Sequence, residues 1–111
     1  MEAQEHPAGF GADQPRLQGH DVVDEQGEKI GAVSDVVFDS ATGDAAWVVV
    51  NTGVLRAAHF VPLQNAYVSA EGRLVVPFDK RTVKGSPRAG RDHIMTSELQ
   101  HSLVEHYSLA V

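Results

Sequence analysis

Residues 29–39 read KIGAVSDVVFD, residues 47–53 read WVVVNTG, and residues 60–63 read FVPL. All three segments are rich in β-branched and aromatic residues, and Gly, Asp, Ser or Asn bound each of them. This pattern is typical of short consecutive strands. Working outward, we predict a short strand at 21–23 and a hairpin at 66–78. The sequence therefore predicts an all-β fold.

The spacing of apolar residues in the long segment predicts a bulge. Ile30 and Val33 are three positions apart, which breaks the alternation of period two, and Gly31 lies between them. A strand that bends at a bulge can help to close a small barrel. Residues 33–38 and 47–50 carry apolar side chains at both odd and even positions, which point to opposite faces of a strand. We therefore expect both faces of these strands to be covered, either by the C-terminal segment or by a second copy.

The C-terminal part is predicted to contain one more strand and one helix. Residues 82–84 include two β-branched residues, Thr82 and Val83, so we predict a last short strand there. Ser97 is the predicted N-cap, because Gln100 follows three positions later as in a capping box. The helix has an apolar stripe at i, i+4 and i+8, formed by Leu99, Leu103 and Tyr107.

Composition places the chain in the class of small globular proteins. Its 111 residues fit one domain, with residues 1–19 predicted as a disordered N-terminal tail, 20–88 as the β-barrel domain, and 89–111 as linker and C-terminal helix. It has no cysteine, which excludes thiol catalysis and Cys-ligated zinc. No segment approaches the ~18 apolar residues of a membrane span, and the N-terminus does not resemble a signal peptide, so we expect a cytoplasmic protein.

The segments 27–36, 42–50 and 60–63, taken in this order, resemble the PRC-barrel. This small β-barrel is shared by the photosynthetic reaction-centre H subunit and a ribosome-maturation factor. The resemblance covers residues 20–87. The chain most resembles the stress-associated bacterial PRC-barrel proteins. In those proteins a segment similar to VVPFDK at 75–80 precedes a helix that ends in a segment similar to EHY at 105–107. The resemblance implies a small barrel of bulged antiparallel strands with one C-terminal helix, used for docking onto macromolecules, and no catalytic residues are carried over.

Histidine and carboxylate spacing gives little support to a metal site or an enzyme. His101 and His106 are five apart, about 140° around a helix, whereas ligand pairs need i, i+3 or i+4. His101 and Glu105 have the right spacing but are only two ligands, and His59 is interpreted as a strand residue. Asp35, Asp39 and Asp44 lack the pattern of a calcium loop, and Asp35 is expected to accept backbone N–H bonds beside the bulge. We predict no cofactor, no metal and no enzymatic activity.

The basic residues are unevenly distributed. The chain has fifteen acidic and nine basic residues, for a formal net charge of -6, which disfavours general binding to nucleic acid. Five of the nine cations fall in the segment 80–91, and they form a predicted basic patch of Lys80, Arg81, Lys84, Arg88 and Arg91. We expect an unidentified acidic protein partner. The alternative is a small RNA- or ribosome-associated factor that uses this patch.

The apolar surface left outside a small barrel predicts a homodimer. One helix with a narrow stripe cannot cover strands that are apolar on both faces, and symmetric pairing is the commonest way to bury such a surface. The sequence thus favours a non-enzymatic protein-interaction module, or adaptor, that is homodimeric. Its predicted interface consists of Val36, Phe38, Val48, Val50, Leu99, Leu103 and Tyr107.

Overall fold

The computed structural model describes residues 17–53, 57–90 and 92–109, which form one sheet and two helices. In chain order the elements are β1 (Asp21–Val23), β2 (Lys29–Phe38), β3 (Ala45–Asn51), β4 (Ala58–Pro62), β5 (Tyr67–Val68), β6 (Leu74–Val75), α1 (Lys80–Lys84) and α2 (Ser97–His106). The predicted strand-rich fold is confirmed.

The six strands are arranged in the order β4-β3-β2-β1-β6-β5. Neighbouring strands are antiparallel, except for β1 and β6, which are parallel. The hairpin predicted between 66 and 78 is present as the pair of β5 and β6. Within the described residues the outer strands β4 and β5 are not hydrogen-bonded to each other, so this sheet is open and not a closed barrel.

Strand β2 is bulged where its sequence breaks the alternation. Val22 of β1 pairs with Gly31 and the next residue pairs with Lys29, so Ile30 is the extra residue on β2. A second irregularity falls between Val33 and Asp35, in the ladder with β3. The bulge predicted at the glycine is therefore confirmed, and it allows residues on both sides of it to reach the core.

The core lies on both faces of β3. Trp47 is 6% exposed and residues 48–50 are completely buried, so the expectation that both faces are covered is confirmed for β3. It is wrong for the end of β2, where Phe38 is 52% exposed. The cover comes from the C-terminal part of the chain, because Val83 of α1 and Leu103 of α2 are fully buried in the same cluster as β3. No second copy is needed for this burial.

Helix α1 corrects the prediction of a strand at 82–84 and raises the number of helices from one to two. The Asp79 side chain accepts a hydrogen bond from the Thr82 N–H at 2.8 Å and caps the helix. This cap satisfies a donor of the first turn, and Val83 gains complete burial, so local and tertiary contacts outweigh the β-propensity of Thr and Val.

Helix α2 was predicted almost correctly, but it is capped one residue earlier. Thr96, and not Ser97, is the N-cap, and its Oγ1 accepts from the Leu99 N–H at 3.1 Å. Glu98 lies in the first turn, where its charge interacts favourably with the helix dipole.

The predicted disordered tail of residues 1–19 lies mostly outside the described residues, which begin at Leu17. Leu17 itself is 6% exposed and belongs to the core cluster. The Gly19 N–H donates to the Val33 carbonyl at 2.8 Å. Among the described residues, the core therefore includes Leu17, which lies three residues before the predicted boundary.

We expect Gly31→Ala to destabilise the protein by about 1–3 kcal/mol, because an added methyl group has no room. A Cβ at this position would meet the carbonyl oxygen of Asn51 and come within 2.9 Å of Val50 Cγ1. Gly90→Ala is the matched control, since its Cβ would meet only a flexible Asp92 side chain. Thermal unfolding followed by circular dichroism measures both, and equal midpoints for the two variants would contradict the close approach.

Candidate functional site

The predicted basic patch is assembled largely on α1. Lys80, Arg81 and Lys84 line an open surface depression of about 610 Å³, together with Glu28, Asp79 and Gly85. Helical geometry places residues 80 and 84 one turn apart on the same side. The fifth predicted member, Arg91, lies outside the described residues.

Arg88 extends this surface along the edge of the sheet. It pairs with His59 of β4 in an isolated antiparallel bridge, and the Ala89 N–H donates to the Ala58 carbonyl at 2.8 Å. Lys84 and Arg88 both lower the pKa of His59 through their charges, which shows that they lie near the same side chain. We call the set Lys80, Arg81, Lys84 and Arg88 the basic surface.

The charges of the basic surface are not neutralised within the described part of the chain. None of its four residues forms an ion pair there, whereas Lys29 pairs with Asp21 at 3.4 Å. Asp79, although it lines the depression, is occupied as the helix cap, and the Thr82 backbone N–H that it accepts lowers the pKa of its carboxyl group. The surface is thus suited to bind carboxylates or other anions.

A buried polar network lies beneath the basic surface. His59 is 2% exposed, and its Nδ1 is 3.0 Å from the Ser86 Oγ. The Ser86 hydroxyl donates to the Val83 carbonyl at 2.7 Å. The Tyr107 hydroxyl donates to the Phe60 carbonyl, also at 2.7 Å. Neighbouring residues of β4 therefore bind the end of α1 and the end of α2.

Burial shifts the pKa values of both titratable groups in this network. Desolvation lowers the pKa of His59 below its ordinary value, a hydrogen bond to the Ser86 backbone offsets part of this effect, and the nearby cations lower the pKa further. Desolvation raises the pKa of Tyr107 to about 12. Sequence reasoning missed this network, because its partners are 27 and 47 positions apart and no local pattern connects them.

The residues of the predicted dimer interface differ in how far they are buried. Four of its seven residues are buried inside the chain, so they are not available to a partner of the folded protein: Val48, Val50, Leu103 and Tyr107. Val36 and Leu99 are half-buried against the core. Phe38, at the end of β2, is 52% exposed.

The other polar candidates have structural contacts. Asp35 accepts from the Val36 N–H at 2.9 Å, which confirms its expected backbone bond, and it also lies 3.1 Å from His93 Nδ1. Asp39 accepts from backbone N–H groups of its own turn. His101 and Glu105 form an exposed i, i+4 pair at 3.4 Å.

Among the described residues no three His, Asp or Glu side chains are grouped as metal ligands. Neither helix in the described ranges has the length and hydrophobicity needed to span a bilayer.

Comparison with known families identifies the class of domain to which the chain belongs. The sequence model of the PRC-barrel domain matches residues 13–95. The chain therefore belongs to the PRC-barrel domain family. No curated protein matched the chain in a sequence search.

Proposed function

We propose that this protein is a non-enzymatic interaction module that binds an acidic segment of a partner protein through its basic surface. The observation that carries the proposal is the concentration of four cations on α1 and the adjoining edge, without an ion pair in the described residues. The chain as a whole has a net charge of -6, so the positive charge of this surface is opposite in sign to that of the protein as a whole. A local positive field accelerates encounter with acidic partners and orients them.

The mixed lining of the depression favours a peptide over a nucleic acid. Glu28 and Asp79 lie among the cations, and they would repel a continuous row of phosphates. A peptide has spaced carboxylates that can bind the cations, and its backbone N–H groups can donate hydrogen bonds to the Glu28 carboxylate. The residues that line the depression include no aromatic side chain for base stacking.

The chemistry of the site supports a binding role without catalysis. The distance of 3.0 Å between His59 Nδ1 and Ser86 Oγ is typical of a catalytic base and its nucleophile, but the direction of the hydrogen bonds is not. The Ser86 hydroxyl proton is directed to the Val83 carbonyl, so the oxygen accepts from His59 and is not activated by it. Both residues are also buried, and neither is among the residues that line the depression.

We expect Lys84→Glu to weaken binding of an acidic peptide by about tenfold or more, which corresponds to about 1.4 kcal/mol. The probe is a fluorescent peptide of alternating glutamate and leucine, and its anisotropy is followed at low and high salt. Affinity should fall as salt rises, because exposed charges are screened.

Arg73→Glu is the matched control, because it makes the same change of charge on an exposed residue beside β6. The control should bind the peptide nearly as well as the wild type. Equal losses in the two variants would contradict the proposal. Tighter binding of a single-stranded RNA of the same charge would favour the RNA-associated alternative.

Homodimer formation is a separate proposal. With four predicted contact residues buried, a dimer would have to use exposed apolar side chains such as Phe38. Light scattering at micromolar concentration tests it. A mass near the 11.9 kDa of one chain would show that the protein is a monomer.

A further inference from the structure

The network around His59 connects three parts of the fold that are distant in sequence. His59 and Phe60 belong to β4, Ser86 follows α1, and Tyr107 ends α2. Residues 86–89 and α2 together lie over this part of β4, and we call them the cover. Leu103 and Tyr107 are the buried anchors of α2 in this cover.

The hydrogen bonds define the protonation state of His59. The Ser86 hydroxyl has a single proton, and the Val83 carbonyl accepts it. Nδ1 of His59 must therefore carry the proton that it shares with Ser86 Oγ. In the neutral ring Nε2 has a lone pair and needs no acceptor. Protonation would add an N–H at Nε2, whereas the side-chain hydrogen bond of the ring to Ser86 is made by Nδ1.

The groups that face His59 are also unfavourable to a further positive charge. Lys84 comes from α1, Arg88 from the segment after it, and His106 from α2. Tyr107 is neutral, because its pKa is raised to about 12. No carboxylate is among the charges that act on His59. A buried imidazolium here would lose the hydration that it has in bulk solvent, and the described groups that act on it are cationic.

We propose that the His59–Ser86 and Tyr107–Phe60 hydrogen bonds form an acid-sensitive latch, in which protonation of His59 releases the cover from β4 while the sheet remains folded. Opening gives the charged ring access to water. Strands β1 to β3 do not contribute to this network, so they can persist when the cover opens.

The direction of the pH effect follows from the two states of the ring. An exposed imidazole titrates near 6.5, and the latched one has a lower pKa. The latch is therefore at full strength above pH 6.5. It weakens as the pH falls below that value, and the loss is complete below the pKa of the latched state.

Trp47 provides the readout. It is the only tryptophan of the chain, and its ring centroid lies 6.4 Å from that of Tyr107. Removal of α2 would bring water to the indole. We expect the emission of Trp47 to shift to the red as the pH falls below about 6.5. This is the acid side of the range, about pH 8 to about pH 5, in which histidines titrate. The far-UV circular dichroism of the strands should be retained across this shift.

His59→Gln tests the assignment, because glutamine can donate to Ser86 Oγ but does not titrate. This variant should lose the emission shift. His101→Gln, an exposed histidine on α2, is the matched control and should keep it. His106→Gln should keep it too, because the His106 Nε2–H already donates to the Thr82 carbonyl and protonation leaves that bond intact.

A wild-type measurement covers the case in which His59→Gln does not fold. In an NMR titration the His59 ring should protonate with the same midpoint as the Trp47 shift. A His59 ring that stays neutral through the shift would overturn the latch. So would an emission change that coincides with loss of the far-UV signal, since that is global unfolding.

One consequence rests on the proposed function. Arg88 belongs to the cover and Lys84 adjoins it, so opening the latch should weaken binding of the glutamate and leucine peptide in acid by about tenfold or more. The two proposals fail separately. A peptide that never binds, with the Trp47 shift present, overturns only the docking function. Binding of unchanged strength across an observed shift overturns only this consequence.

Discussion

Trp47→Ala is expected to lower the free energy of unfolding by about 3–5 kcal/mol. The indole is 6% exposed, and its residue pairs with Val37 on one side and with Pro62 on the other. Its ring centroid also lies 6.4 Å from that of Tyr107, the buried residue at the end of α2. Truncation leaves a cavity that the surrounding strands cannot fill. Since small domains are stable by only about 5–15 kcal/mol, the loss threatens the fold.

Urea unfolding followed by far-UV circular dichroism measures this effect, because the variant has no tryptophan left to observe. Phe38→Ala is the control, as it removes an aromatic ring that is 52% exposed on the neighbouring strand. The control should change stability by no more than about 1 kcal/mol. Similar losses for both variants would show that the burial of Trp47 is not what stabilises the sheet.

Leu103→Glu should release α2 and cost at least about 3 kcal/mol. Leu103 is fully buried and is the only buried residue within the span of α2. A carboxylate cannot be placed there without a partner, so the helix is expected to leave the sheet. Trp47 should then show red-shifted emission at neutral pH, in addition to the loss of stability.

Ser102→Glu is the control for this variant, because it places the same acid on the exposed side of the same helix. It should have the stability and emission of the wild type. If Leu103→Glu remained as stable as this control and only changed its mass in solution, Leu103 would lie at an interface between copies. That is the outcome that the apolar stripe alone predicts.

Much of the sheet could be predicted because its signals are local. β-branched runs bounded by turn residues define β2, β3 and β4, and the position of Gly31 indicates the bulge. The amphipathic stripe of α2 is equally local, although the cap is one residue from the prediction. Helix α1 was missed because its Thr and Val favour a strand, while the contacts that decide its structure come from Asp79 and from the core around Val83.

The candidate site was predictable only in part. The concentration of cations between Lys80 and Arg88 is visible in the sequence, but their approach to His59 depends on the pairing of Arg88 with β4. The sequence also could not distinguish an apolar stripe that faces its own sheet from one that faces a second copy. Both require the same alternation of apolar and polar residues.

The sequence by itself determined the strand-rich fold, the bulge in β2, the amphipathic C-terminal helix and the basic segment, because each depends on residues near one another along the chain. Only the tertiary structure decided that Leu103 and Tyr107 cover their own sheet, and that His59, Ser86 and Tyr107 form one buried network. The physical reason is that burial and hydrogen bonding depend on which distant residues the strand order brings together, and composition does not specify that order.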